Sequence, residues 1–106
     1  MIKKGEKVRF QKDCAIEKGC TVFDYASHAA TGIDPEAVIA VVSVDGTLYE
    51  LNMPAAVIFE EIIRGQPIEQ VTESIMQLFD VEQDKAARAV IRCVEDLKQK
   101  KALVET

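Results

Sequence analysis

The most constraining feature of the sequence is a two-residue Asp45-Gly46 segment between two stretches of β-type residues. Residues 38–44 read Val-Ile-Ala-Val-Val-Ser-Val, a β-branched run that is typical of a strand covered on both faces or nearly so. Residues 47–51, Thr-Leu-Tyr-Glu-Leu, follow directly. A two-residue loop between antiparallel strands needs positive φ at both positions, which Asp-Gly tolerates. The sequence therefore predicts a tight β-hairpin over residues 38–51.

Three helices are predicted after the hairpin, each with its own start or stop signal. Asn52 is an N-cap residue, and Pro54 falls in the first helical turn, where a missing N–H costs nothing. Gly65 supplies the left-handed stop of this helix, and Asp80 with Gln83 offers a cap for the last one. The predicted helices run from Met53 to Arg64, from Pro67 to Phe79 and from about Glu82 to Lys101, and a short strand is expected at Leu103-Val104.

The first third of the chain shows no sustained periodicity. Val8-Arg9-Phe10 alternates like a short edge strand, and residues 13–36 predict a long connection or insertion. We also expect Glu60-Glu61 to be a pair on a helix surface. The order of elements predicts a single α+β domain over residues 1–106, with a small three-stranded antiparallel sheet followed by three helices in a winged helix-turn-helix-like arrangement.

Length and charge limit what this chain can be. With 106 residues, 48% of them apolar, it is sized for one packed domain. Its net charge of −5 is uneven, since residues 1–12 carry +4, residues 13–84 carry −12 and residues 85–106 carry +3. The longest apolar run, Ala37 to Val42, is too short to span a membrane, so we expect no membrane segment.

Candidate catalytic and metal-ligating residues are sparse. The spacing of Cys14, Cys20 and His28, six and eight residues, matches no common zinc site. No triad, glycine-rich phosphate loop or spaced pair of carboxylates is recognisable, so we expect neither an enzyme nor a bound metal or cofactor. Together with Cys93, the cysteines form no CxxC pair, and no secretory signal is recognised, which predicts free thiols in the cytoplasm.

The stretch after the hairpin carries a set of short motifs. They are Leu51-Asn52 at the end of a strand, Arg64-Gly65 at the end of a helix, Pro67-Ile68-Glu69-Gln70-Val71, Leu78-Phe79-Asp80-Val81, and a last helix that ends at Leu97 before Leu103-Val104. Taken together, these motifs resemble the PqqD family, and the resemblance covers about residues 38–105. Two features differ from the family pattern: Arg64-Gly65 stands where members usually have Asp-Gly, and residues 13–36 look like an insertion between the first two strands.

The resemblance implies a role in recognition rather than a reaction. The family comprises PqqD, a partner in pyrroloquinoline-quinone (PQQ) synthesis, and the recognition domains of ribosomally made, post-translationally modified peptides. In these domains the leader of a precursor peptide adds as an extra strand to the third strand and lies in a cleft against the third helix. A modifying enzyme, often a radical-SAM protein, acts on the core peptide. We therefore expect a non-catalytic peptide chaperone with these two partners.

The residues favour the same binding mode. A strand that follows a tight hairpin can lie at a sheet edge and offer unpaired N–H and C=O groups to an extended peptide. The last predicted helix carries apolar or small residues over about 200°, whereas a surface helix needs a stripe of only about 100°. The candidate peptide-binding residues are Thr47, Leu48, Tyr49, Glu50 and Leu51 on the strand, and Lys85, Ala86, Arg88, Ala89, Arg92 and Cys93 on the helix.

The candidate residues on the helix and the strand edge also have explanations that involve no ligand. Exposed basic residues at helical spacing usually form a solvated face, alanines favour helix formation anywhere, and many sheet edges are merely blunted. We predict a core stripe of Ala87, Val90, Val94 and Leu97, a small-residue flank of Ala86, Ala89 and Cys93, an opposite flank at Ile91, and a basic face of Lys85, Arg88 and Arg92 that holds acidic leader residues.

One alternative function and the oligomeric state stay open. Three helices with a hairpin also describe winged-helix proteins that bind DNA. The acidic segment of residues 13–84 and a hairpin tip without Arg or Lys argue against contact with phosphates. An exposed strand edge also allows pairing between two copies of the chain, which predicts a possible homodimer.

Overall fold

The computed structural model describes residues 2–12, 20–29 and 36–106 of the chain. A three-stranded antiparallel sheet followed by three helices confirms the predicted α+β class. No helix in these ranges is long and apolar enough to cross a bilayer. The elements are β1 (Ile2–Lys4), β2 (Val8–Lys12), α1 (Val22–Ala29), β3 (Val38–Val44), β4 (Thr47–Asn52), α2 (Met53–Ile63), α3 (Ile68–Phe79), α4 (Gln83–Gln99) and β5 (Leu103–Glu105).

Strands β2, β3 and β4 form the main sheet, with β3 in its centre. Val44 pairs with Thr47 across the turn, and the two turn residues, Asp45 and Gly46, have φ values of 49° and 88°. Positive φ at both positions is the signature of a type I′ turn. The structure therefore confirms the predicted hairpin, and β2 confirms the strand predicted at residues 8–10.

Helices α2, α3 and α4 occupy the three predicted segments, with ends that differ by one or two residues. The Ala55 N–H donates to Asn52 Oδ1 at 3.0 Å, which confirms the cap of α2, and Gly65 has a φ of 89° just beyond its end. The cap predicted at Asp80 is wrong. Asp80 is the left-handed C-cap residue of α3, with a φ of 50°, and Glu82 takes the N-cap position of α4.

Helix α1 lies inside the stretch that was expected to be a connection, so that prediction is wrong for residues 22–29. The helix begins with a capping box: the Asp24 N–H donates to Thr21 Oγ1 at 2.9 Å, and the Thr21 N–H donates to Asp24 Oδ2 at 3.2 Å. Val22 and Ala26 are fully buried and join the core. The rest of the predicted insertion, residues 13–19 and 30–35, lies outside the described residues.

A second, two-stranded sheet joins the two ends of the described chain. β1 pairs antiparallel with β5, which confirms the predicted short strand at Leu103-Val104. Just after β1, the Gly5 N–H donates to the Ala102 carbonyl at 3.1 Å. A Cβ at Gly5 would lie only 2.7 Å from the Lys101 carbonyl oxygen, so this close approach requires a glycine.

The core lies between one face of the main sheet and the helices. Phe59 on α2 is fully buried, and its ring centroid lies 5.0 Å from that of Phe10 on β2. This tilted ring contact fixes α2 on the sheet. The apolar positions predicted from helical spacing on α3 and α4 are buried around it, including Val71, Ile75, Val90, Val94 and Leu97.

The prediction of a surface pair at Glu60-Glu61 is wrong, because Glu60 is only 3% exposed. Its carboxylate accepts a hydrogen bond from the Val22 N–H at the start of α1. It also pairs with Lys12 on β2 and with Arg64, each at 3.4 Å. This buried carboxylate thus links α1 and β2 to α2. Its hydrogen bond and ion pairs offset the free-energy cost of burying a charge.

Glu61 is half-buried, and burial raises the pKa of its carboxyl above the ordinary value of 4.5. A hydrogen bond from the Ser74 hydroxyl at 2.9 Å opposes this shift, and neighbouring Glu60 adds to it. Because the folded protein holds this proton to a higher pH than the unfolded chain, ionisation of Glu61 lowers stability as the pH rises through the folded pKa.

We therefore expect Glu61→Gln to raise the Tm near pH 7 and to lose this gain near pH 4, because only the wild-type protein loses stability as a carboxyl with a raised pKa ionises. Thermal unfolding followed by circular dichroism at the two pH values measures the difference. The control is Glu6→Gln, which removes an exposed carboxyl between β1 and β2 and is expected to leave the Tm nearly unchanged at both pH values. A gain at pH 7 that persists unchanged near pH 4 would contradict the prediction.

Candidate functional site

Strand β4 is an edge of the main sheet, because in the described part of the chain it pairs with β3 alone. The pair that closes a two-residue hairpin is hydrogen-bonded, and bonded and non-bonded pairs alternate from there. From the Val44–Thr47 pair, the main chains of Thr47, Tyr49 and Leu51 therefore face β3. The N–H and C=O groups of Leu48 and Glu50 point to the open side of the sheet.

The side chains of β4 alternate between the two faces of the sheet. Tyr49 is half-buried and Leu51 is buried on the core face, opposite Val42 and Ala40 of β3. Leu48 is 68% exposed and lies on the outer face beside the exposed Glu50. The predicted strand residues thus form one edge with an apolar side and a solvent-facing side.

The C-terminal end of α4 lies beside this edge. The Lys100 ammonium is positioned over the ring of Tyr49, 5.0 Å from its centroid, and its second partner is the Asp96 carboxylate at 2.7 Å. This cation–π contact joins the helix to the edge strand. Lys100 was not among the predicted site residues, because only the tertiary fold brings it to Tyr49.

The small-residue flank of α4 is only partly as predicted. Ala86 is fully buried and packs in the core, so it presents no surface to a ligand, whereas Ala87, predicted as core, is half-buried. Ala89 is exposed and Cys93 is half-buried. By helical spacing, Ala89, Cys93 and Lys100 share one flank, the one that Lys100 brings to β4.

Cys93 carries no reactive thiolate. Burial raises the pKa of its thiol to about 11, Asp96 adds to the shift and Lys100 opposes it. A thiol with this pKa stays protonated at neutral pH and is a poor nucleophile. It lines the flank as a small apolar side chain.

The basic residues Lys85, Arg88 and Arg92 are all exposed on α4. The Arg88 Nε–H donates to the Asp84 carbonyl of its own helix at 3.4 Å. In the described part of the chain, none of these three side chains forms a hydrogen bond or an ion pair with β4. Helical spacing places all three on one side of the Ala89 and Cys93 flank, on the surface between that flank and Ile91.

Metal ligands are absent from the described side chains, where no three His, Cys, Asp or Glu residues come together in a way that could hold an ion. The zinc site considered in the sequence analysis includes Cys14 and the side chain of His28, and both lie outside the part of the chain that the structure describes. Cys20 and Cys93 are free thiols.

Comparison with known protein families finds a match for most of the chain. The family model of coenzyme PQQ synthesis protein D (PqqD) matches residues 31–103, which is 73 of the 106 residues. This range contains the β3–β4 hairpin and helices α2 to α4, and thus the whole candidate edge. Neither a curated protein nor a solved structure matches the chain.

Proposed function

The chain belongs to the PqqD family, and from this premise we propose that it is a non-catalytic chaperone that captures the leader segment of a ribosomally made precursor peptide. Membership associates the protein with the biosynthesis of PQQ or of other modified peptides, and members of the family are accessory proteins without catalysis. The proposal adds the mechanism: the leader pairs with β4 as an extra strand, and a modifying enzyme of the radical-SAM type acts on the peptide held there.

The observation that carries the proposal is the open side of β4. Leu48 and Glu50 together offer two N–H donors and two C=O acceptors with no strand opposite them in the described residues. An extended peptide that pairs with this edge gains main-chain hydrogen bonds without regard to its own sequence. Sequence preference then comes from the side chains that flank the edge.

The flank of α4 supplies that preference. Alternate leader side chains point toward the helix, where Ala89 and Cys93 leave room for aliphatic groups beside Tyr49. Arg88 and Arg92 carry exposed guanidinium groups that suit acidic leader residues. The preferred leader on this account is an extended segment with apolar residues at every second position and acidic residues near them.

A two-dimensional NMR titration of the labelled protein tests the proposal. The probe is a synthetic leader segment of a precursor peptide encoded nearby, with a generic DNA duplex at moderate salt as the parallel titrant. We expect the peptide alone to shift the amides of residues 47–51 and 85–97. Shifts with the duplex that fade as salt rises would instead support the winged-helix DNA interpretation.

Reversing two charges on α4 tests the acidic preference. We expect Arg88→Glu with Arg92→Glu to weaken the affinity for an acidic leader about tenfold, because two attractive exposed contacts become repulsive. The Tm is expected to change little, since exposed charges contribute little to stability. Isothermal titration calorimetry measures the affinity.

The matched control for this charge reversal is Lys3→Glu with Lys4→Glu. It makes the same change in net charge on exposed residues of β1, away from α4. An equal loss of affinity in both variants would show that only the net charge matters. Unchanged binding in the Arg88→Glu, Arg92→Glu variant would show that these two arginines are solvated and do not contact the leader.

A further inference from the structure

A groove between α3 and α4 lies apart from the candidate edge. It is open to solvent and has a volume of about 500 Å³, with an apolar floor that includes Ile68, Met76 and Ala87. Glu69 and Glu73 form its rim on the α3 side. The shape is therefore an apolar trough with one acidic wall.

Ile91 extends the apolar floor along α4. It is one helical turn beyond Ala87, on the same side of the helix, and it is 50% exposed. An aliphatic side chain that keeps half of its surface in water gains free energy when a partner covers it. Glu95, one further turn along, is exposed and continues the acidic character of the groove.

The acidic rim has no counterpart within the fold. Glu69 and Glu73 lie four residues apart on α3, a spacing at which like charges destabilise a helix. Neither carboxylate forms an ion pair in residues 2–12, 20–29 and 36–106, whereas Glu60, Asp96 and Glu105 do. Within the described residues, no basic side chain offsets this repulsion, so pairing with a basic partner relieves it.

The groove and the candidate leader edge lie on opposite flanks of α4. At about 100° per residue, Ala87 and Ile91 lie roughly 160° around the helix from Ala89 and Cys93. Two ligands can thus occupy α4 at the same time. The basic face of Lys85, Arg88 and Arg92 lies between the two flanks, whereas the acidic residues Glu69 and Glu73 lie across the groove on α3.

We propose that this groove is a docking site for a basic amphipathic helix of a partner protein, distinct from the leader. Two packed helices form a trough that a third helix fills with an apolar stripe at i, i+3, i+4 and i+7. Lys and Arg residues beside that stripe pair with Glu69 and Glu73. The same acidic rim repels nucleic acid phosphates and anionic lipid headgroups.

The test uses a fluorescent synthetic helix of about 18 residues, long enough for five turns, with a Leu stripe flanked by Lys. A second peptide has Glu in place of every Lys. We expect the Lys peptide to bind the full chain and to shift the amides of residues 68–76 and 83–95. The Glu peptide is expected to bind at least tenfold more weakly.

Two charge-reversed proteins complete the test. E69K with E73K is expected to weaken binding of the Lys peptide at least tenfold. E6K with E36K makes the same charge change at exposed residues outside the groove and is expected to weaken it less than threefold. Equal losses in the two proteins, or amide shifts outside residues 68–76 and 83–95, would overturn the proposal.

Two further measurements separate this proposal from the leader site. I91D, which leaves Glu69 and Glu73 in place, is expected to weaken binding of the Lys peptide at least fivefold. Unchanged binding would show that the peptide does not cover the apolar floor and would contradict the proposal. Leader affinity is expected to stay within twofold in E69K with E73K. A parallel loss of both ligands would mean that the groove is not an independent surface.

Discussion

A Leu48→Pro variant is expected to fold and to lose leader capture. Leu48 is 68% exposed and its N–H points away from β3, so proline removes a donor that the fold itself does not use. An incoming strand loses that hydrogen bond and meets the proline ring at the edge. One net hydrogen bond of about 1.4 kcal/mol corresponds to a tenfold loss, so we expect the leader affinity to fall about tenfold or more.

Two neighbouring variants make this result specific to the main chain. Leu48→Ala removes the side chain and keeps the N–H, so it is expected to retain most of the affinity. Tyr49→Pro removes a donor that faces β3 and is expected to destabilise the fold. Calorimetric titration on samples with intact circular dichroism measures the outcome, and unchanged affinity in folded Leu48→Pro would exclude strand addition at β4.

Glu60→Ala is expected to lower the free energy of unfolding by about 3 kcal/mol. The variant leaves the Val22 N–H without its acceptor and the Lys12 ammonium, whose side chain is only 21% exposed, without its buried partner. Arg64 loses a partner too, but its exposed end is solvated by water. Urea unfolding measures the difference, which is a large share of the roughly 5–15 kcal/mol that stabilises a domain.

Two further variants provide an intermediate case and a control: Glu60→Gln and Glu105→Gln. Glutamine at position 60 still accepts from the Val22 N–H, so its loss is expected to fall between wild type and Glu60→Ala. Glu105 forms an exposed pair with Lys98 at 3.1 Å, and its loss is expected to cost less than about 1 kcal/mol. If Glu60→Ala costs no more than Glu105→Gln, the buried carboxylate does not anchor α1.

The elements that sequence predicts correctly are those whose signals are local. The Asp45-Gly46 turn, the β-branched run before it and the Asn52 cap each act within a few residues, and the structure has all three. The prediction that Asp80 begins a helix fails because Asp can cap the start of a helix and can also adopt the left-handed conformation at the end of one, as it does here.

The sequence analysis missed helix α1 and the burial of Glu60, and only the second depends on a contact that is distant in sequence. Helix α1 spans only eight residues, and its Thr21 to Asp24 capping box was a readable signal in a stretch without periodicity. Burial of Glu60 depends on Lys12, which is 48 positions away. No local pattern distinguishes such a glutamate from an exposed one.

The candidate site likewise combines features that local sequence predicts with features that depend on tertiary packing. The hairpin and the positions of Leu48 and Glu50 at an edge follow from turn chemistry and alternation, which sequence alone provides. The rotation of α4 does not, because the exchange of Ala86 and Ala87 between core and surface depends on how the helix packs. The Lys100 contact with Tyr49 likewise exists only in the assembled fold.

The pairing of β1 with β5 has a kinetic consequence. Lys4 pairs with Leu103, so the ladder closes a loop of about 100 residues, and loop-closure entropy disfavours its formation before the rest of the chain is compact. It consists of three residue pairs, with Lys3, Lys4 and Glu105 exposed. This ladder is thus expected to form last in refolding and to open first in the native state, so the amides of residues 2–4 and 103–105 should exchange with solvent deuterium faster than those of the β3–β4 hairpin.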